Sequence, residues 1–314
     1  MNSNNINPGV TADDKEKAKA EEKERRKKVF SAAEGFKSEV SAAEKEKEDF
    51  RMVVTGKGGA GKTTLSAVLS HLFAADKFNV LAVDEDPQQN LAFSLGYPIE
   101  KAEEIIPVSK NIDYIEEKTG AKPGASWGVM LNLNPDVSDV VKRFGMNISD
   151  KINLLVIGSV IQAATGCLCP ENALLDSIVS YINLREDEVI LMDTQAGVEH
   201  FGRSLAEGFQ NAVIISEPGF NSMQVALHSA QLADQLEIEN IHLVINKFRG
   251  QNDREKVENR LGVKKEIFKS INYLPFDEQV YLNEPSVKKI IAEETKYVKA
   301  VEKLYREIKK HSGR

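Results

Sequence analysis

A glycine-rich segment at residues 52–64, with the sequence MVVTGKGGAGKTT, constrains the fold more than any other part of the chain. It opens on a β-branched and apolar run typical of a buried strand, and apolar residues at helical spacing follow it up to residue 73. Between these two stretches, Gly56, Gly61, Lys62 and Thr63 satisfy the pattern G-x-x-x-x-G-K-[ST]. A strand, a glycine-rich turn and a helix in this order predict a phosphate-binding loop.

The residue types of this loop suit a polyphosphate. Glycines allow backbone N–H groups to converge on an anion, and the N-terminus of the following helix adds a partial positive charge. We therefore expect ATP or ADP to bind here, with Lys62 at the β- and γ-phosphates and the Thr63 hydroxyl on Mg²⁺. The predicted nucleotide-binding residues of the loop are Gly56, Lys57, Gly58, Gly59, Ala60, Gly61, Lys62, Thr63 and Thr64.

Two other apolar runs end in acidic residues. The run over 79–84 leads into Asp84, Glu85 and Asp86, and the run over 188–193 ends at Asp193. Because ligands in open parallel sheets bind at the carboxyl ends of the strands, these acids should face the nucleotide. An apolar strand that ends in Asp is typical of a Walker B segment, so Asp193 should lie beside the metal, and the Gly197 amide could sense the γ-phosphate.

Strand-like and helical stretches alternate from residue 51 onward, which predicts a doubly wound, mostly parallel α/β sheet flanked by helices. The runs are continuously apolar, as a sheet covered on both faces requires. An amphipathic helix is predicted over Ser286–Lys310, with Ser286 as its N-cap. The predicted strands are Arg51–Thr55, Asn79–Asp84, Asn153–Gly158, Glu188–Asp193, Ala212–Ser216, Ile241–Asn246 and Ser270–Tyr273.

Composition excludes several classes of protein. The net charge of −7 argues against a surface that coats nucleic acid, and no apolar run approaches the ~20 residues of a membrane span. Two cysteines in 314 residues do not make a disulfide framework, which favours a cytoplasmic location. We predict no nucleic-acid and no membrane partner.

Residues 1–50 form a charged extension, and residues 51–314 form the nucleotide-binding domain. The extension is rich in Lys, Glu and Ala, and its few apolar residues could not bury much of a core. It is either a solvated, partly disordered or helical segment, or a helix that docks on a partner protein.

Lys57 indicates which class of nucleotide-binding protein this loop belongs to. The resulting run, KGGxGKTT, resembles the deviant Walker A loop of the dimerising ATPases that include MinD, ParA and the nitrogenase iron protein. The resemblance implies a homodimer in which Lys57 reaches the partner's nucleotide. It also implies that Asp86 orients the attacking water and that Asp84 lies in the Mg²⁺ shell. The adenine would be recognised by Asn246 and Lys247, and its pocket would be closed by Pro275, Phe276 and Asp277. Each of these two segments could instead form an ordinary turn.

Cys167 and Cys169 are the cysteines of the chain. One such pair offers two of the four ligands that a soft or borderline cation prefers, and a dimer with the pair near its two-fold axis would supply all four. The alternative is a pair of small, buried thiols.

Five segments carry a second resemblance: LLVIGS at 154–159, TGCLCPENALL at 165–175, AKPG at 121–124, LNLNP at 131–135 and EHFGR at 199–203. They resemble the CooC proteins, which support nickel insertion into carbon monoxide dehydrogenase. The resemblance implies that the cysteines hold Ni²⁺, with Zn²⁺ as a competitor in vitro. Carbon monoxide dehydrogenase or acetyl-CoA synthase apoprotein would be the client.

Two other functions stay open on sequence grounds. One is a positioning ATPase similar to MinD or ParA. The other is a redox ATPase similar to the nitrogenase iron protein, although His200 stands where that relative has its second cluster cysteine. His200 itself is either a hydrogen-bonded structural residue or a metal contact.

Overall fold

The computed structural model describes residues 50–123, 131–158, 169–183, 185, 188–196 and 208–312, without the side chains of Cys169 and Asn183. The chain divides into two units, Met1–Lys47 and Glu48–Arg314, and every described residue belongs to the second. The predicted charged extension lies outside the described residues, except that Phe50 already belongs to the first strand.

The described residues form one 8-stranded sheet in the order β3-β4-β2-β5-β1-β6-β7-β8. All neighbouring strands are parallel except β3, which runs antiparallel to β4 at one edge. The predicted doubly wound α/β fold is confirmed. The strands are β1 Phe50–Gly56, β2 Val80–Asp84, β3 Met146–Ser149, β4 Ile152–Val156, β5 Val189–Asp193, β6 Asn211–Ser216, β7 Asn240–Phe248 and β8 Ser270–Pro275.

Helices cover both faces of this sheet. The α-helices are α1 Lys62–Ala75, α2 Asn90–Ser94, α3 Ile99–Glu103, α4 Ile112–Thr119, α5 Val140–Phe144, α6 Cys169–Asn183, α7 Phe220–Gln235, α8 Gln251–Leu261, α9 Glu278–Leu282, α10 Lys288–Ala292 and α11 Lys296–His311. Short 3₁₀ turns lie at Val108–Lys110 and Gly262–Ile267. No helix among the residues described is both long and apolar enough to cross a bilayer.

The central strands are buried on both faces, which explains their continuous apolar runs. Along β1, Met52 and Val54 pack into the core on one face, whereas Val53 packs into the core on the other. Burial of apolar surface on each face stabilises the fold by about 25 cal/mol per Å² removed from water. A polar side chain in the middle of such a strand would therefore cost stability. The polar residues of β1, β2, β5 and β6 lie at or next to the strand ends, and Asp84 and Asp193 are neighbours at the carboxyl ends of β2 and β5.

The helix predicted over Ser286–Lys310 is wrong in one respect, because the structure has two helices there. Glu294 takes a left-handed φ of 47° between α10 and α11, and Thr295 begins α11 by accepting a hydrogen bond from the Val298 amide. Ser286 is not the N-cap of a long helix; its hydroxyl accepts a bond of 3.3 Å from the Lys288 amide. The break lets the apolar face of α11 turn onto the sheet, where the Tyr305 ring lies 4.8 Å from that of Phe73.

Candidate nucleotide-binding site

The phosphate-binding loop, residues 56–64, leaves β1 at the centre of the sheet and enters α1. Gly56 has a φ of +148°, and a Cβ on it would stand 2.1 Å from the carbonyl oxygen of Ile215 on β6. Gly61 has a φ of +100°, and a Cβ there would stand 2.4 Å from Nδ2 of Asn246 on β7. Both glycines are therefore required by backbone conformation and by close neighbours, and the loop is held against β6 and β7.

The two lysines of the loop have opposite environments. Lys62 is 6% exposed, and its Nζ donates to the Gly56 carbonyl at 3.3 Å. Burial lowers the pKa of Lys62, whereas the nearby carboxylates of Asp193, Asp86 and Glu85 act in the opposite direction. Lys57 is exposed, and its side chain makes no hydrogen bond or ion pair with the residues that the structure describes.

Asp84 and Asp193 are register partners at the ends of the adjacent strands β2 and β5, and both are fully buried. Asp193 accepts from the Ser66 hydroxyl at 3.1 Å, and the nearby Thr63 hydroxyl acts to lower the pKa of the same carboxyl group. Burial raises the pKa of Asp193 to about 6, and burial together with Asp193 raises the pKa of Asp84 well above its ordinary value. Two neighbouring buried carboxylates of this kind favour a cation between them and the phosphates.

This corner of the sheet fits Mg²⁺. Asp193 Oδ2 is buried and has no hydrogen-bond partner among the described residues, and the Thr63 hydroxyl lies near the same carboxylate. Nowhere in the described ranges do three or more His, Cys, Asp or Glu side chains converge as a metal site. Mg²⁺ needs no such group, because it keeps several waters and takes phosphate oxygens as ligands.

Asp86 follows the buried acids and is half-buried. Its amide donates to Asp84 Oδ1 at 2.9 Å, and its Oδ1 accepts from the Gln88 amide at 2.9 Å. Asp84 Oδ2 accepts from the Leu91 amide at 3.1 Å, so Asp84 fixes the whole turn that carries Asp86. The predicted role of Asp86 with water stays a prediction, and the structure brings its carboxylate near Lys62.

The sequence placed Glu85 among the acids that should face the nucleotide without giving it a task of its own, and it did not single out Ser66. Glu85 is 1% exposed, its amide donates to the Asp193 carbonyl at 2.9 Å, and its Oε2 accepts from the Gln195 amide at 3.4 Å. Glu85 therefore connects the end of β2 to the segment that follows β5. For Ser66, the spacing of one helical turn from Thr63 could have indicated a shared face of α1.

The residues predicted to read the base instead contact the phosphate-binding loop. Asn246 Nδ2 donates to the Ala60 carbonyl at 2.8 Å, and Asn246 Oδ1 accepts from the Lys247 amide at 2.8 Å. Lys247 Nζ donates to the Gly59 carbonyl at 2.9 Å and pairs with Glu217. Their contact with adenine stays a prediction, and Glu217 is a further residue of this region that the sequence did not single out.

The predicted base-pocket segment lies at the same edge of the sheet. Pro275 ends β8, and the Arg249 guanidinium lies 4.1 Å from the centroid of the Phe276 ring, which is 38% exposed. Asp277 Oδ1 accepts from the Gln279 amide at 3.2 Å, and Asp277 Oδ2 accepts from the Tyr297 amide at 3.1 Å. In this structure Asp277 therefore serves the starts of α9 and α11.

The remaining predicted site residues cannot be compared with the structure. Cys167, Gly197 and His200 lie outside the described residues. Cys169 is the first residue of α6, but its side chain is not described. The predicted thiolate site and the predicted γ-phosphate sensor stay predictions.

Comparison with known proteins agrees with this geometry. The profile of the CobQ/CobB/MinD/ParA nucleotide binding domain matches residues 51–285. An uncharacterized ATP-binding protein of Methanocaldococcus jannaschii is 37% identical over 256 residues, which is 81% of this chain and 96% of the relative. The carbon monoxide dehydrogenase accessory protein CooC of Rhodospirillum rubrum is 35% identical over 230 residues, which is 73% of this chain and 85% of CooC.

A solved structure shows the same fold. The cell division ATPase MinD of Pyrococcus furiosus superposes with a TM-score of 0.57 at 22% identity, over 83% of this chain and 98% of MinD. At this identity the likeness concerns the fold alone. The resemblance to CooC that the sequence motifs predicted is confirmed by the match over most of both chains.

Proposed function

Since the chain belongs to the CobQ/CobB/MinD/ParA nucleotide-binding domain family, we propose that it hydrolyses ATP as a homodimer and serves as an accessory ATPase in nickel insertion. The observation that carries the ATPase proposal is the arrangement at the end of β1. There the buried Lys62, the Thr63 hydroxyl and the buried pair Asp84 and Asp193 meet at one corner of the sheet. Such a corner suits a triphosphate and its cation.

Each residue has a definite task in this proposal. Lys62 turns from the Gly56 carbonyl to the phosphates and stabilises the charge that moves during transfer. Thr63 would hold Mg²⁺, with Asp84 and Asp193 close by, and the ion would supply further charge neutralisation. Asp86 Oδ1 is occupied by the Gln88 amide, so the second carboxylate oxygen is the one that would accept a hydrogen bond from the attacking water.

The exposed Lys57 supports the dimer. A lysine of the phosphate-binding loop whose side chain makes no hydrogen bond or ion pair with the described residues of its own chain is available to a facing copy. In the proposed dimer its ammonium reaches the partner's nucleotide, as a finger supplied in trans does. Hydrolysis then depends on dimer formation, and the loss of the γ-phosphate releases the copies.

Mixing two inactive variants tests this proposal. Lys57→Ala removes the lysine given to the partner, and Asp86→Asn impairs the variant's own site. In a mixed dimer, the site of the Lys57→Ala chain receives Lys57 from the Asp86→Asn chain, so equal mixing should restore about a quarter of wild-type hydrolysis. Lys264→Ala, an exposed lysine of the 3₁₀ turn, is the matched control and should be fully active. A mixture as inactive as its parts would show that Lys57 does not act in trans.

Nickel is the cargo in this proposal. The assignment of nickel rests on the similarity to CooC and on the metal-binding chemistry of cysteine. CooC of R. rubrum is a carbon monoxide dehydrogenase accessory protein, and Cys167 and Cys169 offer two thiolates per chain. Two facing chains would complete a four-thiolate site for Ni²⁺, with Zn²⁺ as a competitor. The client would be apoprotein of carbon monoxide dehydrogenase or acetyl-CoA synthase.

Anaerobic calorimetry with Ni²⁺ tests the cargo, using wild type and Cys167→Ser/Cys169→Ser with no nucleotide, with ADP and with a non-hydrolysable ATP analogue. We expect one nickel per dimer in wild type and none in the double variant, which should still bind ATP. Equal nickel binding by both proteins would contradict the thiolate site and leave the ATPase proposal intact.

The structure disfavours a membrane-positioning role for the C-terminal helix. The apolar residues Val298, Val301 and Leu304 of α11 are buried in the same core cluster as β1 and α1. An amphipathic helix that already uses its apolar face inside the domain has none left for a lipid surface.

A further inference from the structure

The end of β7 is irregular where it passes beneath the phosphate-binding loop. Lys247 adopts a left-handed φ of 55°, and the pairing of β7 with β8 shifts register between Ile245 and Phe248. A non-glycine residue in this conformation costs roughly 1 kcal/mol, and it persists where surrounding contacts fix it. At this position the Lys247 ammonium contacts both the phosphate-binding loop and Glu217.

Two successive carbonyl groups of the loop are held by two successive side chains of β7. Lys247 donates to the carbonyl of Gly59, and Asn246 donates to the carbonyl of Ala60. The Asn246 amide also fills the space where Gly61 lacks a side chain. A loop that binds an anion must keep its carbonyl oxygens turned away from the anion, because their partial negative charge would repel it.

Glu217 fixes the Lys247 ammonium in this arrangement. It lies at the end of β6, next to β7, and its carboxylate pairs with Lys247. The ion pair is about half exposed, at 47% and 39% of the two side chains, so its own contribution to stability is small. Its effect is geometric, because the ammonium is held beneath Gly59 rather than free to move to the phosphates or to solvent.

We propose that Lys247, held by Glu217, is a positioning residue for the phosphate-binding loop and not a reader of the base. Together with Asn246, Lys247 fixes the Gly59 and Ala60 carbonyls. The loop is thereby preorganised for a polyphosphate, whatever base the nucleotide carries. This inference rests on the proposed nucleotide-binding function and deepens it. Its consequence is that loss of Lys247 weakens the binding of every polyphosphate by the same factor.

Three ligands distinguish positioning from base reading: ATP, GTP and inorganic tripolyphosphate, each measured by competition with a fluorescent ATP analogue in the presence of Mg²⁺. For Lys247→Met we expect all three affinities to fall by a common factor of about 5 to 30, the effect of losing a charge-assisted hydrogen bond. The ratio of ATP to GTP affinity should not change. Glu217→Gln should weaken the three ligands by a smaller common factor.

Two further variants control for folding. Lys247→Gly suits the left-handed backbone and removes the ammonium, so it should lower the three affinities as Lys247→Met does. Its thermal unfolding midpoint should stay at or above that of wild type. Lys264→Met, a matched lysine on the surface, should bind all three ligands as wild type does.

The outcomes separate this inference from the function beneath it. A selective loss of ATP, with GTP and tripolyphosphate unchanged, would overturn positioning and assign Lys247 to the base. Unchanged affinities in Lys247→Met and Lys247→Gly would also overturn it. If wild type binds none of the three ligands, the proposed nucleotide-binding function fails as well.

Discussion

Gly56 lies so close to Ile215 that a Cβ on the glycine would stand 2.1 Å from the Ile215 carbonyl oxygen. No side chain can move aside to relieve this contact, because the obstructing atom belongs to the backbone of the central strand β6. The left-handed φ of +148° adds to the cost. Gly56→Ala should therefore destabilise the protein by more than about 2 kcal/mol and displace the phosphate-binding loop.

Urea unfolding and ATP-analogue titration measure the two effects of Gly56→Ala. Gly219→Ala is the control, because Gly219 has a φ of −68° and its Cβ would meet nothing within 4 Å. The control should unfold and bind as wild type does within about 0.5 kcal/mol. Equal behaviour of the two variants would contradict the close contact of β1 with β6.

Ser66 and Ser70 offer a matched pair on one helix, since both are fully buried. Ser66 donates to Asp193 Oδ1, whereas Ser70 donates to the Ser66 carbonyl within α1. Ser66→Ala removes a hydrogen bond from the ionised Asp193 and should raise the Mg²⁺ concentration needed for half-maximal hydrolysis about 3- to 10-fold. Ser70→Ala should leave that concentration unchanged. An equal shift in both variants would point to a general effect of α1 rather than to Asp193.

Asp277 joins two helix starts with one carboxylate. Asp277→Ala leaves the amides of Gln279 and Tyr297 without this acceptor and should lower the free energy of unfolding by about 1–2 kcal/mol. Asp277→Asn keeps one side-chain oxygen and should lose less. Denaturant unfolding gives the stabilities, and the ratio of ATP to GTP affinity gives a second readout. A changed ratio at unchanged stability would favour the predicted role in the base pocket over the helix-capping role.

His242 is buried in β7, and burial, together with the nearby His311 and Lys269, lowers its pKa to about 4 from an ordinary value of 6.5. Its Nδ1 lies 2.8 Å from the Ser270 hydroxyl, and its Nε2 has no hydrogen-bond partner among the described residues. Below pH 6.5, His242 is protonated in the unfolded chain but stays neutral in the folded chain until the pH approaches 4. Stability should thus fall by up to about 3 kcal/mol as the pH drops from 6.5 to 4.

Unfolding free energies between pH 7 and 4.5 check this dependence. His242→Phe removes the titrating group and should flatten the slope, although it also loses the bond with Ser270. Ser270→Ala loses the same bond but keeps the imidazole, so its slope should stay as steep as that of wild type. If the slope survives in His242→Phe, other groups cause it.

The strands were predictable from sequence wherever both faces of the sheet are buried. The parallel strands of the core read as continuous apolar runs because helices cover both of their faces. The edge strand β3 was missed, since its four residues alternate between half-buried and exposed and include Asn147 and Ser149. The break before α11 was missed because neither Gly nor Pro marks it, and a Glu in the left-handed region has no local signal.

The site was predictable only as far as local motifs reach. The loop of residues 56–64 and the acids at the ends of β2 and β5 follow from patterns within a few residues. The bond from Asn246 to Ala60 joins residues 186 positions apart, and it depends on β6 lying between β1 and β7. Strand order is a tertiary property, so the carbonyl contacts of Asn246 and Lys247 could not be read from the sequence.

The short antiparallel strand β3 limits how copies of this chain can meet. Its pairing with β4 covers four residues and shifts register between Asn147 and Ser149, so its outer edge offers no long, regular row of backbone donors and acceptors. A strand from another molecule therefore finds only a short, irregular template along β3, which is how native sheets limit edge-to-edge aggregation. Any contact made at this end of the sheet would therefore rest on side chains and loops rather than on backbone pairing.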